Sequence, residues 1–236
     1  MKKSKKVIKI ILIVIIAILL LFQLYKLFNY FYKKDIYTKV YSNINKNYYV
    51  ETKVIDLLGS GNIFKNTYMN NEKYMKFIYE DFNNIANAKR KIYMDKDKNI
   101  VISIFEKMNN ELKDVAFIDD SLFVGTEPIF ESYNPKYFEY GESLIERIKY
   151  KIFEIESSPL LITTEKYNGK ECYKIVENFG FNISATIRYI EKETFLPVAT
   201  IDNLNNQKEE YNCQIREVTD EEIDLPNLSN YYVMVN

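Results

Sequence analysis

Histidine is absent from the 236 residues, and this limits the chemistry open to the chain. Without imidazole there is no Ser-His-Asp or Cys-His nucleophile system and none of the commoner zinc ligand sets. Carboxylates remain. Asp95, Asp97, Asn99, Ser103 and Glu106 occupy the first, third, fifth, ninth and twelfth positions of a calcium-loop pattern, with Ile102 at its apolar eighth. The sixth position, where the sharp turn requires glycine, is Ile100, and Ile100, Ile102 and Ile104 alternate as a strand does. The segment therefore reads as a polar hairpin turn followed by a strand. Glu217, Asp220, Glu221, Glu222 and Asp224 put five acids within eight residues, but nothing implies a rigid oxygen cage, and a solvated acidic turn is the expectation. Glu142 and Glu146 share one helix face, as paired carboxylates for glycoside hydrolysis would, yet that face is the polar one. The sequons at Asn182 and Asn227 are cheap in so Asn-rich a chain. No catalytic residue, metal site or cofactor is expected, and no ligand-binding residue is assigned.

The elements around these groups say more. Lys2, Lys3, Ser4, Lys5 and Lys6 precede an apolar block from Ile10 to Phe22, followed by Tyr25, Phe28, Tyr30, Phe31 and Tyr32. Residues 10–28, with Lys26 snorkelling, make about 19 helical residues or roughly 28 Å, which matches a hydrocarbon core of about 30 Å. The basic tail 1–9 predicts a cytoplasmic N-terminus and an extracytoplasmic remainder. A cleaved signal peptide would need a small-residue cleavage site. Ala17 is the only small residue between Val7 and Lys34, so an uncleaved single span is expected.

Residues 1–34 hold eight of the 32 basic residues and none of the 33 acidic ones, which leaves the other 202 residues net negative by nine. A negative exterior domain argues against nucleic acid or an anionic membrane surface as a partner, since both select for clustered Lys and Arg. Both cysteines lie in it, where a disulfide can persist, so Cys172 and Cys213 are a candidate pair. Strand parity opposes the pairing: Cys172 shares a face with Lys174, whereas Cys213 alternates onto the apolar face of Tyr211 and Ile215.

From residue 29 to 46 the helical pattern continues as a juxtamembrane segment, with Ile36, Val40, Tyr41 and Ile44 on one stripe. The period then changes to two. Strands are expected over 49–57, 63–68, 74–79, 89–94 and 100–106, with a short pair over 115–118 and 122–124. A helix is capped by Asn134, started by Pro135, faced by Leu144, Ile145, Ile148, Ile152 and Ile155, and stopped by Pro159. Strands resume over 161–167, 170–176, 184–190, 196–202 and 209–218, and Asn168-Gly169 is a strong type I′ hairpin signal. No linker divides residues 47–236, so one domain is expected there. The fold class is α+β: a large curved antiparallel sheet, or half-barrel, with helices on its concave face, preceded by one transmembrane helix. The 21 Tyr and 15 Phe exceed what sheet edges need. Phe64, Phe77, Tyr79, Tyr93, Phe105, Phe117, Tyr173, Tyr189 and Tyr211 fall in strands, packed in a core or lining a cavity for an apolar ligand.

Three segments carry a family resemblance: Lys166 to Ile175, built on the Asn168-Gly169 turn; Arg188 to Val198, a strand, an acidic turn and a Leu196-Pro197 strand start; and Asp224 to Ser229, an acidic-Leu-Pro phrase. The C-terminal third resembles the outer-membrane lipoprotein-carrier (LolA-like) superfamily and its Gram-positive relatives. The resemblance implies an open half-barrel with helices over its concave face, whose interior holds acyl chains in the carriers. The matching segments are structural turns, so no binding residue carries over, and the tether departs from soluble carriers. The expectation is a non-enzymatic, membrane-anchored extracytoplasmic domain that binds a lipid or lipid-modified partner during envelope biogenesis. The alternative is an interaction module that docks on a protein of an envelope complex, its interior fully packed.

Overall fold

The computed structural model describes residues 2–44, 47–58, 62–70, 73–81, 89–95, 100–106, 115–119, 130–133, 143–156, 161–178, 185–224 and 227–235. Helix α1 (Lys2–Ile44) runs unbroken from the basic tail through the apolar block into the domain. Its 43 residues make a rod about 64 Å long. It is long and apolar enough to cross a membrane, and none of its most apolar stretch is buried.

Ten strands follow the expected order: β1 (Asn47–Asp56), β2 (Asn62–Asn70), β3 (Lys73–Asp81), β4 (Lys89–Asp95), β5 (Ile100–Glu106), β6 (Val115–Asp119), then, after α2 (Leu144–Glu156), β7 (Leu161–Tyr167), β8 (Lys170–Asn178), β9 (Ala185–Glu191) and β10 (Pro197–Asp202). Strand β11 (Gln207–Gln214) stops four residues before the expected end at Val218, because a capped turn, α3 (Asp220–Ile223), takes over. A final strand, β12 (Tyr232–Val235), has no counterpart in the sequence expectation, and the strand expected over 122–124 lies outside the described residues. All twelve form one sheet in the order β12-β6-β5-β4-β3-β2-β1-β11-β10-β9-β8-β7. Neighbours are antiparallel except β12, which lies parallel to β6. The two meanders meet at β1 and β11, in register from Tyr49 opposite Gln214 to Asp56 opposite Gln207. Sheet closure would need β7 to pair with β12, and it does not, so the sheet is an open half-barrel.

The turn chemistry is local and obeyed. Asn168 and Gly169 have φ of 49° and 81°, the two positive values that a type I′ hairpin requires. The expected start of the second helix at Asn134 and Pro135 lies outside the described residues. Its described start is a capping box: the Glu146 N–H donates to Ser143 Oγ at 3.3 Å, and the Ser143 N–H donates to Glu146 Oε2 at 3.1 Å.

The main core joins Ile36, Tyr37, Val40 and Ile44 of α1 to Tyr48 and Val50 of β1, Met69 of β2, Ile92 of β4, Val101 of β5, Ile175 of β8 and Ile190 of β9, with Phe130 and Tyr133 beside them. In a flat sheet β5 and β8 would stand eight spacings apart, about 38 Å. Their sharing one core with a helix about 10 Å wide is the signature of a sheet curled around α1. Two smaller clusters cover the outer face, one around Cys172, Tyr189, Val198 and Ala199 and the other around Tyr93, Ile102, Ile104 and Ala116.

Candidate functional site at the helix and sheet junction

The expected stripe on α1 is right in period but incomplete. Ile36, Val40 and Ile44 are buried and Tyr41 is half-buried, while Asn29, Tyr30 and Tyr37 are buried too. Burying each of the larger apolar side chains stabilises the junction by about 1.5–3 kcal/mol. The interior face of the half-barrel, where an apolar ligand was expected, is therefore occupied among the described residues by the chain's own helix.

At the centre of this junction is a buried ion cluster. Glu177, on β8, accepts from Lys33 Nζ at 3.0 Å and from the Tyr37 hydroxyl at 3.0 Å on one oxygen, and from Arg188 Nε at 2.9 Å on the other. The Arg188 guanidinium lies over the Tyr133 ring at 5.4 Å, and that ring meets Tyr37 edge-on at 4.7 Å. Burial alone would raise the Glu177 pKa, but the Lys33 and Arg188 charges beside it prevail and hold it at about 2. The carboxylate is thus ionised at neutral pH and saturated with donors, which makes it a clasp between helix and sheet and a poor general acid or base. Sequence reasoning passed over Glu177, Arg188, Tyr37 and Tyr133, and treated Lys33 as one more basic residue by the membrane. The available signal was Glu177 and Arg188 standing at inward strand positions, in phase with Ile175.

The other candidates are not brought together. Asp95 ends β4 directly opposite Ile100, and Ser103 and Glu106 lie along β5, so the calcium-loop residues sit on a hairpin; Asp97 and Asn99 lie outside the described residues. Glu222 of the acidic cluster receives a fork from Arg216 at 2.7 and 3.0 Å and caps the Thr219 N–H at 3.0 Å. The fork, with the Thr219 N–H, lowers the Glu222 pKa to about 2. No group of metal-ligating side chains occurs among the described residues. Glu146 caps its helix, and Glu142 lies outside the described residues. Asn227 Oδ1 accepts the Ser229 N–H at 3.0 Å as a turn cap, while Asn182 lies outside the described residues.

Cys172 and Cys213 are free thiols, so the candidate disulfide is absent. Cys172 is in the outer cluster and Cys213 packs against the inner one, and β9 and β10 separate their strands by about 14 Å, twice the Cα reach of a disulfide. Burial pushes the Cys213 thiol up to about 12 and raises that of Cys172. The strand aromatics also divide: Tyr173 and Tyr211 pack on the inner core, Tyr93 and Tyr189 on the outer clusters, and Phe64 is exposed. The side chains of Phe77, Tyr79, Phe105 and Phe117 lie outside the described residues.

Among the described residues outside α1, two elements expose a run of apolar side chains. The edge strand β12 exposes Tyr232, Val233 and Met234 in succession. Helix α2 contributes no buried residue and turns its expected core face, Leu144, Ile145, Ile148 and Ile152, to the outside. It does not pack on the concave face as expected. Its described partner is α1, through Lys26 with Glu156 and through the Tyr30 hydroxyl, which donates to Glu154 Oε2 at 3.2 Å.

No protein-family model matches the chain, and no curated protein matches it in sequence. Solved structures do. An uncharacterized conserved protein from Thermus thermophilus superposes with a TM-score of 0.50 at 9% identity, over 86% of this chain and 98% of that one. MucB in complex with MucA(peri) superposes with a TM-score of 0.43 at 8% identity, over 85% of this chain and 62% of that one. A chain of the Pseudomonas aeruginosa MucA/MucB complex gives 0.42 at 9% identity, over 80% and 60%. The chain thus spans under two thirds of these last two and nearly all of the Thermus protein, whose likeness is one of fold.

Proposed function

We propose that this chain is a non-enzymatic, single-span domain of the cell envelope, with its N-terminus in the cytoplasm and its half-barrel outside, and that it works by binding a protein partner. The observation that supports this most is the occupied interior: Ile36 and Val40 of the anchor helix, 1% and 0% exposed, fill the space a carrier would keep for cargo. An anchor that is also a core element is kept, not cleaved, because removal of Lys33 would leave Glu177 short of a counter-charge. The β12 edge is the partner surface, since an edge strand with no neighbour on one side among the described residues and three exposed apolar side chains is a template for strand addition.

The second reading is the LolA-like one, a lipid or lipid-modified ligand inside the half-barrel. It is favoured by the buried hydroxyls of Thr52 and Thr67, on the inner face with Val50, which have no hydrogen-bond partner. One experiment separates the two. The full chain, carrying a photoreactive residue at Val233, is irradiated in its native membrane and then extracted for native mass spectrometry. A discrete protein adduct at Val233, missing when the probe is moved to the exposed Leu204 turn, with no retained lipid, is the expected result. A one-to-one lipid that survives extraction, without a protein adduct, would overturn it in favour of the cavity.

A further inference from the structure

Helix α2 has the pattern of a core helix, but of its apolar face only Ile155 is half-buried. Leu144, Ile145, Ile148 and Ile152 are 74, 66, 51 and 57% exposed, a contiguous apolar face of a kind that soluble surfaces seldom leave open. Its position explains what covers it. The C-terminal turn of α2 is held where the apolar block of α1 ends: Glu156 pairs with Lys26, Glu154 accepts from Tyr30, and Lys151 Nζ lies 5.1 Å over the Tyr30 ring. Lys26 and Tyr30 are about 6 Å apart along the axis, so both contacts fall in the interfacial layer of a membrane spanned by residues 10–28. At the same level α1 exposes Tyr25, Phe28 and Phe31, an aromatic belt of the kind that sits among headgroups.

We propose that the apolar face of α2 docks into the outer-leaflet interface of the bilayer that α1 spans, giving the domain a second membrane contact. This rests on the reading of α1 as a membrane span. Amphipathic helices lie in the interface with their apolar side about 5–10 Å into the headgroup and acyl boundary. The ion pair to Lys26 and the contacts to Tyr30 hold α2 beside the span, so docking needs no separate search for the surface. The two attachments together restrict the rotation of the half-barrel about its anchor and fix which way the β12 edge looks.

The chain contains no tryptophan, so single substitutions report without background. Four variants of the full chain, Leu20→Trp, Ile148→Trp, Ile152→Trp and Leu204→Trp, are reconstituted in phosphatidylcholine and phosphatidylglycerol vesicles, with and without lipids brominated either high on the acyl chain, to report α2 at the interface, or near its end, to report Leu20→Trp at the bilayer centre. The expected result is several-fold quenching of Leu20→Trp, Ile148→Trp and Ile152→Trp, with Leu204→Trp unquenched and red-emitting. If Leu20→Trp is quenched but Ile148→Trp and Ile152→Trp behave as Leu204→Trp does, the span stands and the docking is refuted. Blue-shifted but unquenched emission at Ile148→Trp and Ile152→Trp means that a protein, such as a second copy, covers α2, which also refutes it. Loss of quenching at Leu20→Trp refutes the span itself and the inference with it.

Discussion

Glu177→Gln is the substitution that interrogates the junction most directly. It keeps the side chain's shape and removes one charge from a cluster in which Glu177, Lys33 and Arg188 are 6, 13 and 17% exposed. Two estimates of the cost agree. Taking one partner from a buried ion pair costs about 3–5 kcal/mol, because the remaining charges are left uncompensated. A carboxyl whose pKa falls from 4.5 to about 2 on folding has its charged form stabilised by about 3 kcal/mol. Since the folded pKa lies below the unfolded one, this stability is fully present above about pH 4.5 and is lost as the pH falls toward 2. The assay is urea unfolding of the full chain in detergent micelles, followed by circular dichroism at pH 7 and repeated down the acid limb. Glu171→Gln is the control, since the Glu171 and Lys192 side chains are exposed and 3.9 Å apart, and such a pair is worth at most about 1 kcal/mol. The expectation is a loss of about 3 kcal/mol for Glu177→Gln at pH 7, a flattened acid limb, and strong coupling to Lys33→Met in a double-mutant cycle. If Glu177→Gln unfolds with the same midpoint as Glu171→Gln, or if it and Lys33→Met add without coupling, the clasp contributes nothing and the argument from burial is wrong.

Two further outcomes follow from local structure. Gly169 has φ of 81° with open space around it, so Gly169→Ala meets no clash and only backbone strain, and should lower stability by about 1–2 kcal/mol in the same unfolding assay; an unchanged midpoint would mean that the hairpin does not need this turn. The separated thiols of Cys172, which is buried, and Cys213, which is half-buried, should react slowly with a maleimide in the folded chain and both react in urea without any reductant; a denatured chain that stays unlabelled until it is reduced would show that they pair after all.

How much could be read beforehand varied with the range of the interaction. The half-barrel strands were legible because alternation is a property of each strand alone, and ten of the twelve lie where the pattern puts them, with shifts of one or two residues at their ends. β11 ran short because the Thr219 and Glu222 cap claims the residues after it, and β12 was missed because four residues are too few to show a period. The core stripe of α1 was legible in part: Ile36, Val40 and Ile44 repeat at helical spacing, but nothing in the local pattern singles out Tyr37 and Lys33, whose partner Glu177 lies on a distant strand.

By itself the sequence determines the apolar span, the strand periods, the type I′ turn at Asn168 and Gly169 and the absence of imidazole chemistry, since each depends on residue type or on neighbours a few positions away. Only the tertiary structure decides what covers an apolar face. The same period of Leu, Ile and Val packs α1 against the sheet and leaves α2 open, because the hydrophobic effect is non-directional and drives a face toward any apolar partner, strand or lipid. Tertiary structure alone also brings Lys33 and Glu177 together across 144 positions, because a buried charge is settled by whichever opposite charge the curl of the sheet delivers to it.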